Sequence, residues 1–147
     1  MLRLLLGFLL LAATVFTAAA QKERVTASHS LPSAAGPFRL AVAAQGFVFF
    51  SGQTGQDPQT QRLVAGGVAA ETHRALHILQ ERLRASGLTL RDVVSTTVYL
   101  TNPDDYALLN QVYQQYFTSD FPARTCVVVV GLPGHAHVEI TLVAARK

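Results

Sequence analysis

The sequence is poor in the residue types on which several kinds of protein depend. It contains one cysteine, Cys126, no tryptophan and only 14% charged residues. One cysteine cannot form a disulfide within the chain, so a disulfide-stabilised scaffold is excluded. The net charge at pH 7 is +3, and no cluster of lysine and arginine occurs that could neutralise a row of phosphates. We therefore expect no nucleic-acid partner and a fold stabilised by packing or assembly.

A long hydrophobic run occurs once, at the N-terminus. Residues 1–20 combine Arg3, an apolar stretch over 4–16 and small residues up to Ala20. This order is typical of a secretory signal peptide cleaved near Ala20, so we expect an exported protein, periplasmic or secreted. The alternative is a retained membrane anchor, although a run of this length is marginal for spanning a bilayer. Because Arg3 is the only charge in this segment, its removal leaves a net charge of +2.

The rest of the chain suits a single domain. Residues 21–32 predict a loose leader, and residues 33–147 predict the folded part. Hydrophobic spacing and turn residues predict strands over 39–43 and 47–51, a loop over 52–67, a helix over 68–86, a strand over 93–100, a helix over 103–117, and strands over 123–130 and 138–145. The second strand is apolar on both sides and is expected to be buried. The order β-β-α-β-α-β-β indicates an α+β domain with a mixed sheet and two helices on one face.

Two charged side chains interrupt the apolar C-terminal strands. Between residues 121 and 145 only Arg124 and Glu139 carry a formal charge. A buried guanidinium needs an anion, because it does not lose its proton. One interpretation is a structural salt bridge between the two side chains. The other is that Arg124 keeps its donors for a ligand carboxylate, while Glu139 faces the same cavity and handles a proton or a water molecule.

Two further residues are candidates for that cavity. Asn110 lies on the stripe of Tyr106 and Tyr113 in the second predicted helix, so its amide is expected to point inward and to need partners. Cys126 is two residues from Arg124 and therefore on the same face of its strand. We favour a small buried hydrophobic role for Cys126 over that of a nucleophile, because the spacing places no histidine or aspartate beside it.

Two histidine pairs have spacings that can serve a metal ion. His73 and His77 are four residues apart, but Arg74 follows His73 where a zinc-protease helix has glutamate, and both lie on the predicted solvent face. His135 and His137 alternate without a third ligand. Solvated surface positions are the favoured interpretation of both pairs.

Several short motifs occur together in the order of a known family. They are Gly36-Pro37-Phe38, Ser51-Gly52-Gln53, Asp57-Pro58, Phe121-Pro122-Ala123-Arg124 and Val138-Glu139-Ile140. With this order and spacing, the chain after residue 20 resembles the RidA family, also called YjgF, over essentially its whole length. The resemblance implies a chorismate-mutase-like subunit, a homotrimer with clefts between subunits, and 2-iminobutanoate/2-iminopropanoate deaminase activity, with no cofactor and no metal.

The same resemblance implies roles for individual residues. Arg124 would grip the carboxylate of a 2-imino acid, and Glu139 would position or activate water at the imine carbon. The residues that would line the ligand cleft are Phe38, Ser51, Gly52, Asn110 and Cys126. Imines hydrolyse readily, so positioning could supply most of the catalysis.

Three positions depart from the family pattern. Phe38 stands where family deaminases often have tyrosine, Thr141 where many have a second acidic residue, and Thr125 where serine is more usual. These departures leave the carboxylate clamp intact but bear on the rate and the preferred substrate. They keep open a second interpretation, a non-catalytic trimer that binds small carboxylates. RNA cleavage, which is described for some relatives, fits poorly with the absence of a basic patch.

Overall fold

The computed structural model describes residues 22–23, for which only the backbone is considered, and residues 37–146. The predicted signal peptide (1–20) and most of the predicted leader (21–32) lie outside the described residues. Among the helices of the described part, none is long and apolar enough to cross a membrane.

The strands of the described residues form one mixed sheet. They are β1 (Lys22–Glu23), β2 (Ala41–Ala44), β3 (Phe47–Thr54), β4 (Val93–Leu100), β5 (Ala123–Val128) and β6 (Val138–Ala145). Their spatial order is β1-β2-β3-β6-β4-β5. The pair β4 and β5 is parallel, and the other neighbours are antiparallel. The mixed sheet confirms the predicted α+β class.

Two α-helices, α1 (Gly67–Ala85) and α2 (Tyr106–Tyr116), pack against the sheet and each other. The predicted stripe of α1 is buried, including Val68, Thr72, Ala75, Leu76, Leu79 and Leu83. A short 3-10 turn over Pro103–Asp105 precedes α2, and the side chain of Asn102 accepts a hydrogen bond from the N–H of Asp104 at 3.1 Å. The asparagine cap and the proline that follows it fix where this turn begins.

The helices cover one face of the sheet, and the other face stays open. Along β6 every second side chain, from Val138 to Ala144, is buried among the core residues, while the alternate ones are half-buried. On β3 the side chains of Phe47 and Phe49 are 43% and 47% exposed. Within one chain this strand is therefore buried on one face only and not on both as predicted, since a strand in such a sheet buries alternate residues.

Three strands differ in their bounds from the sequence prediction: β2, which covers Ala41–Ala44 rather than 39–43, and also β3 and β5. Strand β3 continues to Thr54, three residues into the predicted loop, because it pairs with β6 through a register shift between Phe50 and Gln53. Strand β5 ends at Val128 rather than at residue 130. Lys22 and Glu23, from the predicted leader, pair with β2 at the edge of the sheet. Strand β6 has the predicted bounds.

Candidate active site

Arg124 is held by aromatic side chains rather than by a carboxylate. Its Nη2 donates a hydrogen bond to the hydroxyl of Tyr106 at 3.2 Å. Its Cζ lies 4.7 Å from the ring centre of Tyr113, a cation–π geometry that leaves most in-plane N–H donors uncommitted. None of the ion pairs in the described part of the chain includes Arg124. The salt bridge with Glu139 is absent from these pairs, and the half-buried guanidinium retains donors for an external anion.

The surroundings of Arg124 are built by α2 and β4. The hydroxyls of Thr96 and Tyr113 are 3.0 Å apart and buried, which fixes the ring under the guanidinium. Burial raises the pKa of the Tyr113 hydroxyl, so the phenol stays neutral. Asn110 is half-buried on the same helical stripe as Tyr106 and Tyr113.

Cys126 pairs in register with Val98 and lies on the same face of β5 as Arg124, as predicted. Its side chain is partly buried and packs against the hydrophobic core. Burial raises the pKa of the thiol, and the charge of Arg124 only partly opposes that shift. A protonated thiol is a weak nucleophile, so Cys126 is suited to line the site rather than to react there.

Glu139 lies on β6 with its carboxylate against the backbone of Gly52. A Cβ atom at Gly52 would overlap Oε1 of Glu139, so glycine is required for this approach. The register shift on β3 falls at Ser51 and Gly52, where such irregularities redirect a strand. The N–H of Ser51 donates to the carbonyl of Leu40 at 3.0 Å, and its hydroxyl donates to the carbonyl of Arg39. Burial raises the pKa of the Glu139 carboxyl, which suits proton transfer closer to neutral pH.

The sheet register separates the two charged residues. Arg124 pairs with Thr96, whose side chain is buried beneath α2. Glu139 pairs with Tyr99, which alternates with the buried residues of β4 and so points to the open face. Directly paired residues share a face, so Arg124 and Glu139 lie on opposite faces of the sheet. Within one chain they do not face the same cavity, contrary to the sequence-based expectation.

The predicted site residues therefore fall into two groups. Asn110, Arg124 and Cys126 lie on the helix-covered face at the β5 edge. Ser51, Gly52 and Glu139 lie where β3 meets β6, and Phe38, 56% exposed, precedes Ser51's partner Leu40 by two residues. Among the departures from the family pattern, Thr141 shares the face of Glu139, and Thr125 alternates with Arg124 and is exposed.

Sequence reasoning missed one buried carboxylate. Glu71 of α1 is 1% exposed and accepts hydrogen bonds from the backbone N–H of His137 at 2.8 Å and from Nδ1 of His137 at 2.6 Å. Two other histidines make separate contacts: His73 with Tyr116, and His77 with Glu81. In the described part of the chain, no three histidine, cysteine or acidic side chains are grouped to hold a metal ion.

A surface cavity of about 440 Å³ lies elsewhere, lined in part by Arg84, Arg91 and Tyr116. None of the predicted site residues lines this cavity. In one chain the predicted site residues thus form two separate groups, one around Arg124 and one around Glu139, rather than a closed pocket. We call these groups the two half-sites.

Comparison with known protein families shows to which family the chain belongs. A family model described as Endoribonuclease L-PSP matches residues 28–146. The chain belongs to the RidA/YjgF family. A human relative of this RidA-family chain, named 2-iminobutanoate/2-iminopropanoate deaminase, is 42% identical over 124 residues, which are 84% of this chain and 90% of that protein. The Arabidopsis thaliana protein named Reactive Intermediate Deaminase A, chloroplastic, is 35% identical and aligns over 87% of this chain and 68% of its own length.

Solved structures agree with this family assignment. The YjgF gene product of E. coli superimposes on the RidA-family chain with a TM-score of 0.76 and 33% identity, over 86% of this chain and all of that one. The E. coli TdcF structure gives the same values and contains bound serine. The family's named deaminases support a deaminase, or hydrolase, role at this level of similarity, and the chorismate-mutase-like fold is confirmed.

Proposed function

We propose that the protein is a 2-iminobutanoate/2-iminopropanoate deaminase, which hydrolyses reactive 2-imino acids to 2-oxo acids and ammonia. The observation that carries the proposal is the uncommitted guanidinium of Arg124, which is half-buried, oriented by Tyr106 and Tyr113, and outside the ion pairs of the described residues. A 2-imino acid offers a carboxylate for this guanidinium, and its electrophilic imine carbon is bonded directly to that carboxylate. The deaminase names of relatives such as the human protein support the same substrate class.

Binding is the task of Arg124. Its planar donors match the two oxygens of a carboxylate, and a bidentate contact fixes the orientation of the attached imine carbon as well as the position of the acid. The ring of Tyr113 and the hydroxyl of Tyr106 restrict the guanidinium before the substrate arrives. Less rotational freedom is then lost on binding.

Hydrolysis is assigned to Glu139 and one water molecule. The carboxylate takes a proton from the water as the oxygen bonds to the imine carbon, and the C=N electron pair moves to nitrogen. Glu139 then delivers this proton to the nitrogen, which gives a tetrahedral carbinolamine. The carboxylate next takes the hydroxyl proton and passes it to the nitrogen as the C=O bond forms and the C–N bond breaks, so that ammonia leaves and the 2-oxo acid remains. The raised pKa of Glu139 makes its carboxylate a better base than an exposed one. Water is the co-reactant, and the reaction as written consumes no cofactor.

The site is completed by a second copy of the chain. Arg124 and Glu139 lie on opposite faces of one sheet, so one substrate reaches both only if they come from different subunits. We place the site in the clefts of a homotrimer, with Asn110 and Cys126 beside Arg124, and with Phe38, Ser51 and Gly52 beside Glu139. The open sheet face with its exposed phenylalanines is available for this assembly.

The experiment generates a 2-imino acid in situ with an amino-acid oxidase and follows release of the 2-oxo acid. We expect turnover by the wild-type protein and its loss in Arg124→Ala and Glu139→Ala. Wild-type activity in Arg124→Ala would overturn the proposal.

The alternative is a non-catalytic trimer that binds small carboxylates, which Phe38 and Thr141 favour because they replace polar or acidic groups. It predicts that a 2-oxo acid raises the melting temperature of the wild-type protein and that no turnover occurs. Turnover abolished by Glu139→Ala would exclude it.

We also propose that the protein is exported. Residues 1–20 support this, because a basic residue is followed by an apolar run and then by small residues, as in a secretory signal peptide. The full chain is expressed in a host that can export it, and the N-terminus of the product is determined by mass spectrometry. We expect cleavage near Ala20. An intact N-terminus on a cell-retained protein would contradict this part of the proposal.

A further inference from the structure

His137 is a junction residue to which the proposed chemistry assigns no role. Its backbone N–H and its Nδ1 both reach the carboxylate of Glu71 on α1, at 2.8 and 2.6 Å. Its carbonyl accepts the N–H of Thr101, at the end of β4, at 3.1 Å. One residue further on, β6 begins with Val138 and then presents Glu139. His137 therefore connects α1, the end of β4 and the start of β6.

The position of Glu71 is tightly defined. Its side chain is almost completely buried, and a Cβ atom at Gly55 would meet the Cα and Cβ of Glu71 at 2.5 Å, so the chain after β3 packs directly on this residue. A buried carboxylate needs donors, since removing it from water without them costs several kcal/mol. In the described part of the chain, the donors to its two oxygens both come from His137.

The same junction lies close to the start of α2. Asp105, in the turn before α2, contributes a favourable charge to His137, and the next residue, Tyr106, holds Arg124. His137 thus adjoins the segment that orients Arg124 as well as the strand that carries Glu139. Among the described residues, His77 has no comparable link: it is exposed and pairs with Glu81 of its own helix at 3.6 Å.

We propose that His137, clamped by the buried carboxylate of Glu71, is a positioning residue that holds Glu139 against Gly52. The clamp fixes the backbone two residues before Glu139, and a displacement of about 1 Å in a reacting group can cost on the order of 100-fold in rate. The inference rests on the proposed function for its kinetic readout only.

The clamp is strongest when the imidazole is protonated. The hydrogen bond that Nδ1 of His137 donates to Glu71 raises the pKa of His137, the charges of Glu71 and Asp105 add to the shift, and burial opposes it. Because the folded-state pKa is raised above the unfolded one, the extra stabilisation is present below about pH 6.5 and is lost as the pH rises through the folded-state value. The charged groups that face His137 are Glu71 from α1 and Asp105 from the turn before α2.

The kinetic test compares His137→Asn and His137→Arg with wild type, and uses His77→Asn as the matched control for loss of an exposed histidine. His137→Asn is expected to lower kcat about tenfold with a smaller change in KM. On the alkaline side, wild-type kcat should fall as His137 deprotonates, whereas His137→Arg, with its permanent charge, should retain its rate. Wild-type kcat and pH profile in a folded His137→Asn variant would overturn the inference.

A second readout does not depend on turnover. In protein labelled with ¹³C at the glutamate carboxyls, with the signal assigned by Glu139→Gln, the pKa of Glu139 is expected to move toward its ordinary value in His137→Asn, because the freed carboxyl becomes more hydrated. An identical Glu139 titration in wild type and His137→Asn would overturn the inference. Lack of turnover in wild type would instead count against the deaminase proposal, and this titration would still decide the role of His137.

Discussion

An arginine that packs on an aromatic ring can still bind a ligand anion, whereas the donors of a salt-bridged arginine are already occupied. Arg124 is oriented by the face of Tyr113 and the hydroxyl of Tyr106, and neither group neutralises its charge. A lysine at this position would keep the charge but not the planar pair of donors. The identity of the side chain, and not only its charge, should therefore matter for binding.

We predict that Arg124→Lys lowers kcat/KM about 10- to 100-fold, because each hydrogen bond to a charged group contributes about 1.5–3 kcal/mol. The measurement is steady-state turnover of a 2-imino acid. Arg91→Lys, at an exposed position outside the site, is the matched control and should behave as wild type. An Arg124→Lys enzyme with unchanged kcat/KM would show that the bidentate contact is not used.

A second prediction concerns Gly52, which lies against the carboxylate of Glu139. Alanine there would place its Cβ on Oε1 of Glu139 and push the carboxylate out of position, so we expect Gly52→Ala to lose most turnover while it remains folded. Gly131→Ala is the control, since a Cβ at Gly131 meets nothing within 4 Å. Turnover assays and circular dichroism on both variants test the prediction, and an active Gly52→Ala protein would refute it.

At the scale of elements, the link between α2 and β4 sets the ring under Arg124. The hydroxyls of Thr96 and Tyr113 form a buried contact at 3.0 Å, and the neighbouring ring of Phe117 stacks on Tyr113 at 4.6 Å. A double-mutant cycle with Thr96→Val and Tyr113→Phe should give a coupling of about 1 kcal/mol in the free energy of unfolding. Additive effects of the two substitutions would mean that the contact does not stabilise the packing of α2.

The elements also show which parts of the fold the sequence could predict. Strand β6 alternates cleanly between buried and half-buried residues, so its period identified both ends. The extension of β3 to Thr54 could not be predicted, because it depends on pairing with β6 through a register shift. Glu71 was missed because its partner His137 lies 66 residues away, and nothing local marks a buried acid on α1.

The sequence singled out candidate residues, but it did not give their arrangement in space. The charged interruption of apolar strands singled out Arg124 and Glu139, and the family motifs singled out Gly52. Their separation onto opposite faces follows from the pairing of β5 with β4 and of β4 with β6, which no short motif encodes. Short sequence motifs indicate which residues can take part in the chemistry, whereas the order of the strands decides which of their side chains lie close together.

At the scale of the whole molecule, the open sheet face is the feature that a single chain leaves unexplained. Phe47 and Phe49 are nearly half exposed there, next to the half-buried residues of β6. Contiguous exposed apolar surface of this kind marks an interaction site. In the homotrimer that we propose, a second and a third copy of the chain cover this face and bring the two half-sites together.

We therefore predict that Phe49→Glu dissociates the trimer and abolishes turnover, because a charge would be buried without a partner. Leu108→Glu, which replaces a side chain of similar exposure (42%) on α2, should remain trimeric. Native mass spectrometry measures both masses, and the trimer is expected at three times the mass of the processed chain. A wild-type protein that is monomeric at assay concentration would contradict the assembly.

The most direct test asks whether Arg124 and Glu139 of different subunits serve one site. Arg124→Ala and Glu139→Ala, each inactive alone, are mixed in equal amounts, unfolded and refolded together, and assayed for hydrolysis of a 2-imino acid. In a closed ring with head-to-tail interfaces, random mixing should restore about one quarter of the wild-type turnover, because one interface in four pairs an intact Arg124 with an intact Glu139. Turnover no greater than that of the separate variants, in mixed trimers confirmed by mass, would contradict the shared site.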